Sequence, residues 1–91
     1  MIFNLGQIVV TRGIAHEISK DSSFKTELTK CLDRYCKCDW GDTNKEDALL
    51  NDTAVDIGER ILAAYQTSKD RIWITTEYDR SVTTILFPSE Y

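Results

Sequence analysis

Three cysteines, one histidine and a run of carboxylates are the side chains whose types and spacing invite chemistry in this sequence. Cys31, Cys36 and Cys38 follow the pattern C-x4-C-x-C. Structural zinc sites use closely spaced Cys pairs and four ligands, and a second pair is missing here. His16 supplies a fourth ligand only if its helix lies beside Cys36. Cys31 falls on the apolar side of a helix and reads as a small core residue. With a single His and no Ser, His and acid grouping, nothing suggests a catalytic triad or a nucleophile–base pair, and no catalytic residue is assigned. No cofactor and no metal are expected.

The acids are the unusual feature. Residues 1–38 carry a net charge of +2 and residues 60–91 are balanced, whereas residues 39–59 carry seven acids against Lys45 alone, a net of −6. A conventional nucleic-acid binder needs a basic stripe, which this segment opposes. An acidic face favours a basic partner, a bound cation, or mimicry of nucleic-acid phosphate. Oxygen-rich clusters suit calcium or magnesium, but Asp39, Asp42, Glu46 and Asp47 lack the alternating spacing and closing Glu of an EF-hand. Trp40 sits among these acids. It combines a large apolar face with an N–H donor, a residue type enriched at binding hot spots. The expected partner-binding set is therefore Asp39, Trp40, Asp42, Glu46, Asp47 and Asp52, with Trp40 as the apolar anchor. The competing expectation is that Trp40 folds back as a lid on the core while the acids make turn and cap hydrogen bonds. The turn from Glu77 to Ser81 is a third, weaker candidate, because mixed charge at a hairpin tip is usually a local ion pair worth under ~1 kcal/mol.

The elements that must position these residues follow from periodicity. Leu5 to Thr11 is β-branched and apolar and predicts a buried strand, broken at Arg12-Gly13. Ile14 and Ile18 share a face of a short helical turn. Phe24, Leu28, Cys31, Leu32 and Tyr35 form one apolar stripe, predicting a helix over 24–35 with Ser22 and Ser23 as caps. Cys36 to Asp42 reads as a loop. Thr43 and Glu46 have capping-box spacing and open a helix that leaves at Gly58. The period then changes to alternation. Strands are predicted at 60–65, 71–77 and 82–87, the last two joined by the tight turn 78–81 and closed by Pro88.

The predicted order is β-α-α-α-β-β-β in one domain spanning 1–91. That segregation predicts an α+β fold, a small antiparallel sheet with helices packed on one face. Trp73 and Thr75 are expected on the exposed side of the sheet, where with an edge strand they could pair two chains into a homodimer or make an oligomeric adaptor subunit. A sponge for a small signalling nucleotide would need Arg12, Arg71, Arg80 and Trp73 to converge. At 91 residues, 42% hydrophobic and 29% charged, the composition excludes disordered and low-complexity chains. The absence of a long apolar run and of a basic leader predicts a soluble, cytoplasmic protein without membrane contact.

Three stretches carry a resemblance: Leu5-Gly-Gln-Ile-Val-Val-Thr-Arg-Gly-Ile-Ala15, Cys38-Asp-Trp-Gly-Asp42, and Gly58-Glu-Arg-Ile-Leu-Ala-Ala-Tyr65 continuing through Ile72 to Tyr91. Together they resemble a family of small proteins of plasmids, integrative elements and prophages, variously called plasmid-related proteins or type I restriction subunit M. The latter name does not suit 91 residues without a Gly-rich cofactor loop, since a methyltransferase needs a far larger α/β domain. The resemblance implies a setting on mobile DNA and no catalytic residues. Small acidic proteins in that setting are often anti-CRISPR or anti-restriction inhibitors. The implied partner is a host defence effector with a basic, nucleic-acid-binding surface, and not nucleic acid itself.

Overall fold

In a computed structural model, which describes residues 2–91, the chain forms strand β1 (Gln7–Val10), helices α1 (Arg12–Lys20), α2 (Ser22–Cys36) and α3 (Lys45–Ile57), then strands β2 (Ile61–Gln66), β3 (Arg71–Thr76) and β4 (Val82–Leu86). A 3-10 turn at Pro88–Glu90 follows. The fold is α+β, as the segregation of periods predicts. The sheet is not purely antiparallel, however. Its order is β1-β4-β3-β2, and β1 runs parallel to β4. Three helices intervene between β1 and the hairpins, so the chain returns to the sheet far from where it left, and β1 joins the outer side of β4. Only a crossover connection of this kind allows a parallel neighbour.

Register divides the sheet into two faces. Ile61, Ala63 and Tyr65 of β2 align with Thr76, Ile74 and Ile72 of β3, and Ile74 and Thr76 with Ile85 and Thr83 of β4. Alternation places all of these on one face. Ile14 of α1 and Phe24, Leu28, Cys31 and Tyr35 of α2 join this layer to form the core. A chain of buried hydroxyls ties the layers together. Tyr35 Oη lies 2.7 Å from Thr76 Oγ1, Thr76 Oγ1 lies 2.8 Å from Thr83 Oγ1, and Thr83 donates to the Leu5 carbonyl at 2.7 Å.

Several boundaries differ from expectation for local reasons. Arg12 and Gly13 begin α1 rather than breaking the chain. Glu90 reaches back to accept from Gly13 N at 2.9 Å and Thr11 Oγ1 at 2.6 Å. A Cβ at position 13 would meet that carboxylate at 2.7 Å, so the glycine makes room for it. The cap of α2 is Asp21, which accepts from Ser23 N at 3.0 Å, rather than either serine. β1 is an edge strand and exposed at all but Val9, not buried. Thr75 is buried, and Trp73 is half-buried against Tyr91, with ring centroids 5.4 Å apart. The two residues are therefore not the expected exposed pair: Thr75 is buried, and the ring of Tyr91 in the chain's last turn shields part of Trp73.

Candidate functional site

Segment 39–59 begins where α2 unwinds. Cys38 takes φ +62°, and Asp39 turns back so that Arg34 grips its carboxylate through Nε at 2.8 Å and Nη2 at 3.2 Å. That guanidinium holds the Asp39 carboxyl below the usual carboxylate range. Gly41 has φ +62°, and a Cβ there would lie 2.4 Å from the Tyr65 ring, so only glycine fits this corner. The corner turns Trp40 inward. Trp40 is only 6% exposed and packs edge-on to Tyr35 and tilted over Phe3, with centroids at 5.5 and 6.2 Å. Its indole N–H donates to Asp52 Oδ1 at 2.8 Å. Of the two expectations for Trp40, the lid on the core is the one found and the surface anchor is corrected: burying a large apolar ring and satisfying its donor both favour the interior.

The acids divide between internal and outward roles. Asp42 Oδ2 accepts from Gln66 N at 2.7 Å. Asp47 forms a reciprocal cap with Asn44, its N–H donating to Asn44 Oδ1 at 2.8 Å and its carboxylate accepting from Asn44 Nδ2 at 2.9 Å. The cap is thus Asn44 and Asp47 rather than Thr43 and Glu46. Thr43 is drawn elsewhere: its hydroxyl donates to the Trp40 carbonyl at 2.6 Å and accepts from Ala64 N at 2.9 Å. With the Asp42 N–H to the Ala64 carbonyl at 2.8 Å, and Asn51 pairing with the Leu62 carbonyl at 2.9 Å and Leu62 N at 3.3 Å, this segment seals the outer edge of β2. Every one of the six expected site residues except Trp40 keeps an exposed side chain, but Asp39, Asp42, Asp47 and Asp52 each also hold the fold. The Glu46 side chain makes no hydrogen bond or ion pair among the described residues.

α3 presents its other side to solvent. Asn51 and Ala54 are buried against the body of the protein. Opposite them, Glu46, Leu49, Leu50, Thr53 and Ile57 recur at i, i+3, i+4, i+7 and i+11, a single stripe. Leu49, Leu50 and Ile57 are 59–66% exposed. Asp52 and Asp56 flank the stripe and are exposed as well. The sequence reading missed these three apolar residues, although their signal was present: two overlapping stripes in one helix, only one of which the core can take. Gly58, at φ +77° with open space around it, ends the helix as predicted. Beyond it Arg80 fixes the helix end. Its guanidinium donates to the carbonyls of Ala54, Glu59 and Glu77 at 2.9, 2.7 and 3.1 Å, a favourable place for a cation.

The remaining candidates are dispersed. Among the described residues no three His, Cys, Asp or Glu side chains group closely enough to hold a metal ion. Burial pushes the thiols of Cys31, Cys36 and Cys38 up, away from the thiolate. Arg71 and Trp73 share a groove of about 370 Å³ with Asp42 and Asp47. Arg12 and Arg80 are not part of it, so the four residues of the nucleotide-sponge expectation do not converge. In the turn 77–81, Arg80 points inward and Asp79 accepts from Ser81 N at 3.0 Å, a local turn bond. No described helix is long and apolar enough to cross a membrane.

Fold and site define the class: a small α+β domain with a four-stranded mixed sheet and one acidic, apolar helix face directed to solvent. In comparison with known proteins, no family model, no curated protein and no solved structure matches the chain.

Proposed function

We propose that this chain is a non-enzymatic binding protein that lays the outer face of α3 on a basic surface of another protein. The observation that carries the reading is the stripe of Leu49, Leu50 and Ile57, exposed beside Glu46, Asp52 and Asp56. Large exposed apolar side chains gathered on one face mark interaction surfaces. Carboxylates around them select a cationic counterpart and steer its approach. Nucleic-acid-handling proteins present such Arg/Lys surfaces. In the mobile-DNA setting that the sequence resemblance implies, the partner is a host defence effector, and the protein inhibits it in the anti-CRISPR or anti-restriction manner by occupying its nucleic-acid site. The anchor is the Leu49–Leu50–Ile57 stripe in place of Trp40.

The test is capture of partners from host lysate by tagged protein at low and high salt, repeated with Glu46→Lys/Asp56→Lys and with Leu49→Ser/Leu50→Ser. These side chains lie outside the core, so the variants keep wild-type stability to within about 0.5 kcal/mol. The expected partner is a nucleic-acid-binding effector that elutes at high salt, escapes both variants, and loses its nucleic acid to the wild-type protein. A partner that both variants retain, or one whose nucleic-acid binding the protein leaves untouched, refutes the mechanism.

A further inference from the structure

The two edges of the sheet are treated oppositely. At β2 the outward backbone groups of Leu62 and Ala64, and the N–H of Gln66, are all satisfied by Asn51, Thr43 and Asp42. At β1 nothing comparable occurs. Gln7 N and Thr11 N donate inward to the Ser81 and Ile85 carbonyls at 3.0 and 3.1 Å, so the alternate residues Ile8 and Val10 turn their N–H and C=O groups away from β4. Those four groups have no partner among the described residues. The side chains there are equally uncovered, with Ile8 46% and Val10 39% exposed. They line a groove of about 170 Å³ together with Ile18, Leu28, Leu32 and Ile85, and Lys25 and Thr29 of α2 line its polar side. Proteins blunt a free edge with lysine, proline, a bulge or a covering segment. The strand Gln7-Ile8-Val9-Val10 has no lysine or proline, and no ionisable side chain occurs from Ile2 to Thr11.

We propose that a second copy of this chain occupies this edge, pairing β1 antiparallel with its own β1 about a two-fold axis at Val9. In that register Ile8 of one copy faces Val10 of the other, and both are residues whose backbone groups point outward. They exchange N–H···O=C bonds as an antiparallel hydrogen-bonded pair requires. Alternation puts Ile8 and Val10 of both copies on the same face, where they close the two apolar grooves against each other. Val9 meets Val9 on the opposite face, and Gln7 faces Thr11, so within the paired strands no charge opposes a like charge. The contact is isologous and closes on itself, giving one sheet of eight strands from two sets of four rather than a fibre. The second copy is favoured over a foreign peptide because this register sets apolar Ile8 against apolar Val10 and Val9 against itself, every chain carries the strand already in place, and the strand is neutral while the acidic α3 face lies at the opposite edge.

Sedimentation of the untagged protein over a concentration series tests this, with amide hydrogen exchange read alongside. The expected result is a species of twice the 10.4 kDa chain mass, with the Ile8 and Val10 amides gaining protection as it forms. Ile8→Lys, at a half-exposed site, weakens association roughly tenfold or more, because each copy would bury a lysine in the seam. Val10→Lys serves if Ile8→Lys lacks the wild-type circular dichroism spectrum. A monomer up to millimolar concentration overturns the proposal. So does a dimer that leaves the Ile8 and Val10 amides exchanging freely, or one lost through Leu49→Ser/Leu50→Ser while Ile8→Lys still associates.

Discussion

Trp40 and Asp52, twelve residues apart in sequence, are joined by an indole N–H···carboxylate bond of 2.8 Å. The bond fastens the corner after α2 to the middle of α3 while the Asp52 residue as a whole remains exposed. Together with the Asn51–Leu62 and Arg80–Ala54 bonds it holds the acidic helix to the domain. Trp40→Ala is expected to cost about 3–5 kcal/mol through the cavity it leaves. Asp52→Ala is expected to cost about 1 kcal/mol, and Asp52→Asn less, since an amide oxygen still accepts. Urea unfolding of the single and double variants measures the coupling. If Asp52→Ala costs as much in the Trp40→Phe background as alone, the bond contributes nothing.

Alkaline stability follows from two buried phenols. Burial raises the Tyr35 hydroxyl far above the ordinary tyrosine range, opposed by its bond to Thr76, and burial raises Tyr65 likewise, with Asp39 adding to it. Above about pH 10 the unfolded chain has released these protons and the folded chain has not. The folded state then binds more protons, so its stability is complete below that pH and declines as pH rises. Unfolding free energy is expected to fall between about pH 9 and about pH 12, with a shallower slope in Tyr35→Phe. Tyrosinate absorbance appearing in the native protein at ordinary pH, with both groups titrating freely, contradicts this.

Asn51 acts as a strand substitute. Its amide offers one donor and one acceptor to the Leu62 backbone, as a neighbouring strand would. Asn51→Leu strands both Leu62 groups and is expected to cost about 1–3 kcal/mol. It also unseals the β2 edge, so light scattering on heating should rise sooner than in wild type. A variant that melts earlier without added scattering would mean the amide matters for stability alone.

Glu90 holds the C-terminal turn over the sheet. Its carboxylate accepts from Thr11, Gly13 and Phe87, and the Thr11 hydroxyl is the main cause of a carboxyl held below its usual range. Glu90→Ala should release Tyr91 from Trp73 and open Trp73 to acrylamide quenching. In the wild type the same opening is expected on acidification. A depressed carboxyl contributes stability that is present above its unfolded value of ~4.3 and lost as pH falls through the folded one. The Arg60 guanidinium also lies over the Tyr91 ring, 5.1 Å from its centroid, and donates to its hydroxyl, so unchanged quenching in Glu90→Ala would show that Tyr91 stays in place without Glu90.

Much of the fold is legible from period. The stripe from Phe24 to Tyr35 could only be a helix against a core, and the alternation at Arg71–Thr76 and Val82–Leu86 could only be strands joined by a short turn. The candidate site is half legible. Charge density marks segment 39–59 without any coordinates, because charge counts do not depend on contacts. Which of those charges are tied into the fold is not legible, because Asp42, Asp47 and Asp52 look no different in sequence from Glu46 and Asp56. The first three find donors in Gln66, Asn44 and Trp40, and such pairings are set by distance in space.

The α+β class, the three helices, the antiparallel hairpins and the acidic middle of the chain can all be read from the residues in order. All of these rest on local pattern, which needs only neighbouring residues. Tertiary structure alone decided that β1 is a parallel edge strand, that Trp40 is core, that Thr75 and Trp73 are covered, and that Leu49, Leu50 and Ile57 remain outside. Each of these turns on which of two apolar surfaces receives the limited interior of a small domain. That choice is made by the whole chain packing at once and leaves no mark at any single position.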